Sequence, residues 1–254
     1  GFTHLTGEPG GPPQHMNYPL GDVVAGLFGA FAISTALAER NALPREAQKG
    51  AEIDLPATEA MARLLDPLAA EHRIGGVVRE RTGSRATYTA PSNVFRSGDG
   101  VWFTLVGTGG PIFARICRAI GREDLLADAR FADNAARIRN LEALDALIAD
   151  WCASRPFAEL TAPLEREDVP YSKVYSIADL QADPHMRARG AFIDLPDEQF
   201  GAVSAPAPVP RFVGRESMRP PATGPRTGQH NREVYGELGL CDSQLDSMRE
   251  AGVI

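Results

Sequence analysis

The amino-acid sequence predicts an α/β protein with two lobes, in which the chain visits the first lobe at both of its ends. Three observations predict this fold class. A long apolar helix with shorter flanking elements occupies residues 1–72, and a β-hairpin followed by helices makes a small α+β domain of residues 91–185. A stretch rich in proline, glycine and alanine then leads to short helices at the C-terminus. Residues 73–90 are therefore expected to be a linker, and residues 186–254 a return segment that ends in the large lobe.

Length and composition are those of an ordinary globular protein. The chain has 254 residues, of which 43% are hydrophobic and 23% charged, and its formal net charge is −7. Because basic residues are not in surplus, neither a nucleic acid nor an anionic membrane is an expected partner. Three widely spaced cysteines (Cys117, Cys152 and Cys241) indicate neither a disulfide framework nor a zinc site, and the first two fit core thiols. We expect no metal and no redox cofactor, and we expect a reducing cytoplasm.

The first lobe opens with a loop and continues into the long helix. The Gly–Pro cluster at residues 7–13 lacks the Lys-Ser/Thr ending of a phosphate-binding loop, and its prolines remove N–H donors. A helix over Val23–Arg40 follows, whose apolar residues predict a buried core helix. We expect it to be too short and, with Ser34 and Thr35 inside, too polar to span a bilayer.

The remaining elements follow from residue patterns along the chain. A Gly-Asp-Gly turn between two β-rich runs is typical of a hairpin. The residues 191–225, which are rich in Pro, Gly and Ala, are expected to lie across a surface and not to build a core. The further expected elements are a strand at Gly50–Leu55, a helix from Ala57 to Glu71 that Pro67 ends or bends, hairpin strands at Asn93–Ser97 and Val101–Val106, helices at Ile112–Ile120, Leu141–Ser154 and Phe157–Arg166, a strand at Val169–Tyr175, and helices at Asn231–Leu240 and Asp242–Glu250.

Asp22 is the most informative residue of the chain. It stands at the junction between the loop that ends Tyr18-Pro19-Leu20-Gly21 and the uninterrupted apolar run of the long helix. The first backbone N–H groups of a helix have no internal acceptor, so they stabilise a negative charge placed beside them. By local sequence alone, the simplest interpretation of this carboxylate is a helix N-cap.

Several stretches, in the same order along nearly the whole chain, carry a family resemblance. They are the opening Gly1–Gly7 with the Gly–Pro loop, Leu20–Gly26 leading into Ala36–Arg40, the hairpin Phe95–Trp102, Ala119–Leu125 with Asp128–Phe131 and Arg137–Asn140, and the tail from Gly228 to Ile254. Together they resemble the class III CoA-transferases. This family includes formyl-CoA transferase and carnitine CoA-transferase and, as a relative, α-methylacyl-CoA racemase.

The resemblance implies that Asp22 is a nucleophile. In this family the carboxylate attacks an acyl-CoA thioester and forms a mixed anhydride, which the released CoA thiolate converts into an aspartyl-CoA thioester. The residue itself suits the task, because a carboxylate can act as a covalent nucleophile and nearby N–H groups can hold the developing oxyanion. Gly21, Tyr18, His15 and His4 lie close to Asp22 in sequence and are predicted to bind substrate. Coenzyme A is then a substrate, and no cofactor is expected.

The resemblance also implies a Rossmann-like large lobe and an interlocked homodimer. Members of the family carry a nucleotide-binding segment ahead of the point that corresponds to Gly1. We therefore expect activity to need such a segment, on this chain or on a partner chain. The expected small-molecule partners are an acyl-CoA and a free carboxylic acid.

Two alternatives remain open from the sequence. The chain is either an acyl-CoA racemase or epimerase, in which Asp22 moves an α-proton as a general acid or base, or an inactive fragment or companion subunit. The run Val23-Val24-Ala25-Gly26 favours the transferase, because the racemase branch is richer in glycine there. The identity of the acyl donor and acceptor is not predicted, and carnitine, oxalate, succinate and aromatic acids all remain candidates.

Overall fold

The N-terminal region folds into four α-helices joined by loops. The computed structural model describes residues 1–216 and 220–254. Pro67 lies in the first turn of the fourth helix, where its missing N–H removes no helical hydrogen bond. The helix expected from Ala57 to Glu71 is therefore bent into two pieces just before the proline, as predicted. The bounds are α1 Phe2–Leu5, α2 Leu20–Ala42, α3 Ala57–Arg63 and α4 Asp66–Gly75.

Residues 50–55 are irregular, so the strand predicted there was wrong. A strand is stable when a neighbouring strand accepts and donates its backbone hydrogen bonds. All strands in the described part of the chain begin at or after Ser92 and pair with one another in two small antiparallel sheets. No partner strand is therefore present beside residues 50–55 in the described chain.

Helix α2 is apolar around most of its circumference. It packs against α3 along one side, and Val24 is its one buried residue. The prediction of a buried core helix was therefore wrong for this chain. Helix α2 has 23 residues and is long and apolar enough to cross a membrane. The prediction that it is too short to span a bilayer was therefore wrong. Core helices of soluble proteins reach the same length and composition. The exposed side of α2 carries five large apolar side chains, those of Val23, Leu27, Phe31, Ile33 and Leu37.

A three-stranded antiparallel sheet forms the centre of the following region. Strands β1 (Ser92–Arg96) and β2 (Trp102–Val106) make the predicted hairpin, with Phe95 opposite Phe103. Strand β3 (Tyr171–Lys173) adds to the other edge of β2. Residues alternate between the two faces of a strand, so Phe103 and Leu105 share one face, and both are fully buried.

Four helices cover that buried face of the sheet. They are α5 (Gly110–Ala119), α6 (Asn134–Arg139), α7 (Leu141–Ala153) and α8 (Phe157–Arg166), and the predictions of α5, α7 and α8 are confirmed. Their apolar side chains pack with those of β2 into one core, which contains Ile116, Leu144, Ile148, Leu160 and Leu164.

Two of the three cysteines lie inside this core, as predicted. Cys117 and Cys152 are fully buried. Because burial disfavours the thiolate, it raises the pKa of Cys117 to about 11 and that of Cys152 to about 12. Both thiols therefore act as small apolar side chains.

A buried carboxylate on α7 ties the segment between α4 and β1 to the core. The side chain of Asp145 is 6% exposed. Its Oδ2 accepts hydrogen bonds from Arg85 Nε at 2.9 Å and from Asn93 Nδ2 at 2.8 Å, whereas its buried Oδ1 has no protein partner in the described residues. Burial raises the pKa of the Asp145 carboxyl, and the hydrogen bond from Asn93 and the charge of Arg85 oppose that shift.

The chain divides into two compact units, residues 1–174 and residues 175–254. The second unit contains a hairpin of β4 (Phe192–Asp197) and β5 (Gly201–Pro206), strands that the sequence did not predict, and Ile193 is its one buried residue. Residues 217–219 of the stretch 191–225 lie outside the described residues. The four helices of this unit are α9 (Ile177–Ala182), α10 (Pro184–Ala188), α11 (Asn231–Glu237) and α12 (Asp242–Glu250), of which the last two were predicted.

Candidate active site

Asp22 is the third residue of α2, not its N-cap. The N-cap is Pro19, which makes no side-chain capping hydrogen bond, so the capping interpretation of Asp22 was wrong. The Leu20 N–H donates to the carbonyl of Tyr18 at 2.8 Å. The N–H groups of Gly21 and Asp22 have no acceptor within the described chain. The exposed carboxylate of Asp22 thus sits in the first turn, at the positive end of the helix dipole.

A cavity of about 300 Å³ surrounds this first turn. One side is formed by α1 and the other by the segment that leads into α2, and Met61 of α3 contributes from a distant part of the sequence. Most of the surrounding side chains are apolar. Among the described residues that line the cavity, Asp22 carries the sole carboxylate. The lining residues are Phe2, Thr3, His15, Met16, Tyr18, Pro19, Leu20, Gly21, Asp22 and Met61.

Four of the five predicted site residues meet at this cavity. Asp22, Gly21, Tyr18 and His15 line it, whereas His4 does not. The imidazole Nε2 of His4 instead lies 3.5 Å from the carboxylate of Glu80. The structure therefore places one imidazole and one phenol at the cavity that Asp22 lines.

The sequence interpretation missed Phe2, Thr3, Met16 and Met61. The first three lie within 20 residues of Asp22, and their place at the cavity follows from the reversal of the chain in the Gly–Pro loop. Met61 arrives through the packing of α3 against α2, and its Cγ lies 3.9 Å from where a Cβ on Gly21 would stand. None of these four residues lies in a sequence pattern that marks it as part of a site.

The Gly–Pro loop, residues 7–13, is closed at its base by backbone hydrogen bonds. The Gln14 N–H donates to the Thr6 carbonyl at 2.9 Å. Gly7 has φ of 131°, and a Cβ there would lie 2.8 Å from the carbonyl oxygen of Pro12. Only glycine fits this conformation and this close approach. The loop is thus a compact turn that delivers His15 to the cavity.

Three further cavities lie in the C-terminal unit, with volumes of about 270, 810 and 270 Å³. Their charged side chains are already paired: Arg226 with Glu198, and Asp197 with the hydroxyl of Thr223 at 2.6 Å. The carboxylates of Glu198 and Asp197 are thus engaged, and His230 is the imidazole at the first and third of these cavities. No group of three His, Cys, Asp or Glu side chains in residues 1–216 and 220–254 is arranged to hold a metal ion.

The fold and this carboxylate site define a class, and comparison with known proteins identifies it. The family model of CoA-transferase family III matches residues 1–231, and the chain belongs to that family. The predicted resemblance is thereby confirmed.

Among curated relatives, the chain is 32% identical to a succinyl-CoA–D-citramalate CoA-transferase of Chloroflexus aurantiacus, over 100% of this chain and 62% of that protein. It is also 32% identical to the alpha subunit of a succinyl-CoA–L-malate CoA-transferase of Chloroflexus aurantiacus, over 100% of this chain and 59% of that subunit. The chain thus spans about three-fifths of the length of these relatives.

Two solved structures share the fold. A CaiB/BaiF family protein from Brucella suis superimposes with a TM-score of 0.74 at 28% identity, covering 93% of this chain and 60% of that one. The Rv3272 protein of M. tuberculosis superimposes with a TM-score of 0.72 at 21% identity, over 91% of this chain and 60% of that one. The predicted α/β fold class is confirmed by these likenesses.

Proposed function

We propose that this chain carries the nucleophile of a CoA-transferase that moves CoA between carboxylic acids, and that Asp22 is this nucleophile. The observation that carries the proposal is the exposed Asp22 carboxylate in the first turn of α2, at a cavity beside unpaired N–H groups. Membership of CoA-transferase family III supports the reaction class.

In the proposed mechanism, an Asp22 oxygen attacks the thioester carbonyl of the acyl-CoA donor. The C–S bond breaks, CoA leaves as a thiolate, and a mixed anhydride joins Asp22 to the acyl group. The thiolate then attacks the Asp22 carbonyl of the anhydride, which releases the donor acid and leaves an aspartyl-CoA thioester. The acceptor carboxylate reverses the two steps, so that acceptor acyl-CoA leaves and the Asp22 carboxylate is restored.

The residues around Asp22 have defined parts in this proposal. Each tetrahedral intermediate places a negative charge on an oxygen near the start of α2, where the N–H groups of Gly21 and Asp22 can stabilise it. The imidazole of His15 and the phenol of Tyr18 are the polar side chains that can orient an acid at the cavity.

We infer a short dicarboxylic acid as substrate. The relatives named for succinyl-CoA with citramalate, malate or glutarate share succinate as one acid. Succinyl-CoA is therefore the first donor to test, with malate, citramalate and glutarate as acceptors.

We also propose that a second chain covers the exposed side of α2. Large apolar side chains there, including Leu27 and Phe31, would otherwise remain in water. The malate enzyme of Chloroflexus aurantiacus is described as having an alpha and a beta subunit, which supports either a homodimer or a companion chain. The three free cysteines support a reducing, cytoplasmic compartment. Sedimentation of the native protein at several concentrations tests the assembly, and a monomer with an exposed α2 would contradict it.

Intact-mass spectrometry of the native protein after incubation with succinyl-CoA tests the proposed chemistry. We expect a mass gain equal to CoA or to the succinyl group, located to the peptide that contains Asp22. The Asp22→Asn variant should lack the adduct and lose about 10³-fold or more in transfer rate, because the amide cannot form the anhydride. Asp54→Asn removes an exposed carboxylate outside the cavity and serves as the matched control.

The same experiment separates the alternatives. Retention of more than a tenth of the activity in Asp22→Asn would refute the nucleophile and favour a companion subunit. Exchange of solvent deuterium into the acyl α-position, without an adduct and without an acceptor acid, would instead support the racemase.

A further inference from the structure

We propose that Arg81 is a positioning residue that holds both walls of the Asp22 cavity in place. The proposal rests on the proposed function for the catalytic meaning of the cavity. The tether itself is a property of the folded chain, and it can be measured separately.

Arg81 reaches two carbonyl groups that are remote from it in sequence. Its Nε donates to the carbonyl oxygen of Gly11 at 3.1 Å, and its Nη1 donates to the carbonyl oxygen of His4 at 2.7 Å. The side chain is 15% exposed, and its bond to Gly11 is partly buried whereas its bond to His4 is exposed, so the Gly11 bond is the one better shielded from water. A charged donor to a neutral carbonyl makes a stronger bond than a neutral pair.

The two carbonyls do not line the cavity themselves, but they belong to the two segments that carry its walls. His4 lies in α1, whose Phe2 and Thr3 line one side. Gly11 lies in the Gly–Pro loop, which leads directly to His15 on the other side. One planar guanidinium thus joins the helix that carries one wall to the loop that leads to the other wall.

Other contacts press the same side chain against the loop. The Cδ of Arg81 would lie 3.0 Å from a Cβ on Gly7, so the aliphatic stem packs on that glycine. Glu80 lies 3.4 Å from the Arg81 guanidinium and 3.5 Å from the His4 imidazole. His4, predicted from sequence to bind substrate, is on this evidence part of the tether behind the cavity.

Lysine cannot replace this arginine. The guanidinium presents several N–H groups in a fixed plane, and two of them point along different directions to the two carbonyls. An ammonium group is a single point on a flexible stem, so it can serve one carbonyl at a time. We therefore expect Arg81→Lys to retain part of the tether and Arg81→Gln to retain less.

The test uses Arg81→Lys and Arg81→Gln in the full-length enzyme, with Arg79→Gln as the matched control. Arg79 lies two residues earlier in the same segment and pairs with Glu71, but it does not contact the loop. The Arg79→Gln variant loses the ion pair with Glu71 and so measures the effect on stability and activity of removing an arginine from this segment. Hydrogen exchange of the loop amides and transfer kinetics from succinyl-CoA are both measured.

In Arg81→Gln, we expect the amides of Gly11 and Gln14 to exchange about 10- to 100-fold faster, because one or two charged hydrogen bonds that close the loop are lost. We expect kcat per folded molecule to fall about 10- to 100-fold, since displacement of groups around a reacting centre by about 1 Å can cost 10²-fold. Arg81→Lys should lie between wild type and Arg81→Gln, and Arg79→Gln should match wild type in both measurements.

The outcomes distinguish the proposals. Faster loop exchange in Arg81→Gln with unchanged kcat would overturn a positioning role, and so would unchanged exchange. An equal loss of kcat in Arg79→Gln would show a general structural effect and would overturn it as well. If the wild-type enzyme forms no adduct and transfers no CoA, the proposed function fails and the catalytic role of Arg81 fails with it, whereas the exchange data still decide whether the tether exists.

Discussion

The buried carboxylate of Asp145 leads to a prediction in which a charge can be removed at little cost. The perturbation is Asp145→Asn, which keeps the shape of the side chain and an oxygen that can accept from Arg85 and Asn93. Buried ion pairs are often balanced between the cost of removing charges from water and the attraction between them. Here burial raises the pKa of the Asp145 carboxyl, and its buried Oδ1 has no protein partner in the described residues, so we expect the cost of burying the charge to outweigh the attraction.

The magnitude follows from the contacts. The hydrogen bond from Asn93 changes from charge-assisted to neutral, which costs about 1–1.5 kcal/mol, because charged bonds contribute about 1.5–3 and neutral ones about 0.5–1.5 kcal/mol. The bond from Arg85 stays charge-assisted, since the guanidinium keeps its charge. Removing the buried charge returns a similar amount, and Arg85, 35% exposed, can be hydrated when its partner becomes neutral. We expect the free energy of unfolding of Asp145→Asn at pH 7 to stay within about 1 kcal/mol of wild type. Asp145→Ala removes the acceptor altogether and should cost about 2–4 kcal/mol.

The change of the stability difference with pH shows whether the Asp145 charge stabilises or destabilises the folded protein. A carboxyl group whose folded pKa is raised binds its proton more tightly in the folded state. Its contribution to stability is therefore complete below the unfolded pKa of about 3.9 and is lost as pH rises through the folded pKa. Asparagine does not titrate. The stability of wild type relative to Asp145→Asn should thus increase as pH falls from 7 toward the unfolded pKa of Asp145.

Urea unfolding followed by circular dichroism at a series of pH values measures this difference. Asp150→Asn, on the exposed side of the same helix, controls for the removal of one negative charge. A loss of more than about 2 kcal/mol in Asp145→Asn at pH 7, with a gap that narrows as pH falls, would refute the reasoning, because the charge would then be net stabilising.

Two further predictions concern the same core and the C-terminal unit. Gly98→Ala should lower the free energy of unfolding by about 1–3 kcal/mol, because its Cβ would lie 2.7 Å from a backbone carbonyl oxygen at the end of α7. Gly110→Ala is the control and should leave the free energy of unfolding unchanged, since a Cβ there meets open space. Equal unfolding curves for the two variants would contradict the close approach at Gly98. In the native protein, iodoacetamide should modify Cys241 alone, because this thiol is exposed and a hydrogen bond with Ser243 lowers its pKa. Cys117 and Cys152 are buried with raised pKa values and should react only after unfolding. Peptide mapping of the labelled protein measures this, and labelling of either core thiol in the native protein would refute it.

Much of the small α+β region was predictable because its signals are local. The Gly-Asp-Gly turn between β-rich runs indicated the hairpin, and the apolar spacing that ends at Gly121 indicated α5. In each case, residues close in sequence determine the backbone conformation. The β4–β5 hairpin escaped prediction because its proline and alanine content hid the alternation of Ile193, Leu195 and Val203.

The candidate site divides in the same way. The sequence by itself determined that a carboxylate stands where a loop enters an apolar helix, and that residues from Tyr18 to Asp22 lie together, because these are neighbours along the chain. Only the tertiary structure decided that Asp22 follows a proline cap, that Met61 closes the cavity, and that Arg81 joins the two segments that carry its walls. These contacts depend on helix packing and on hydrogen bonds between residues that are distant in sequence. Which of these residues meet is determined by the packing of the whole fold and not by the local sequence.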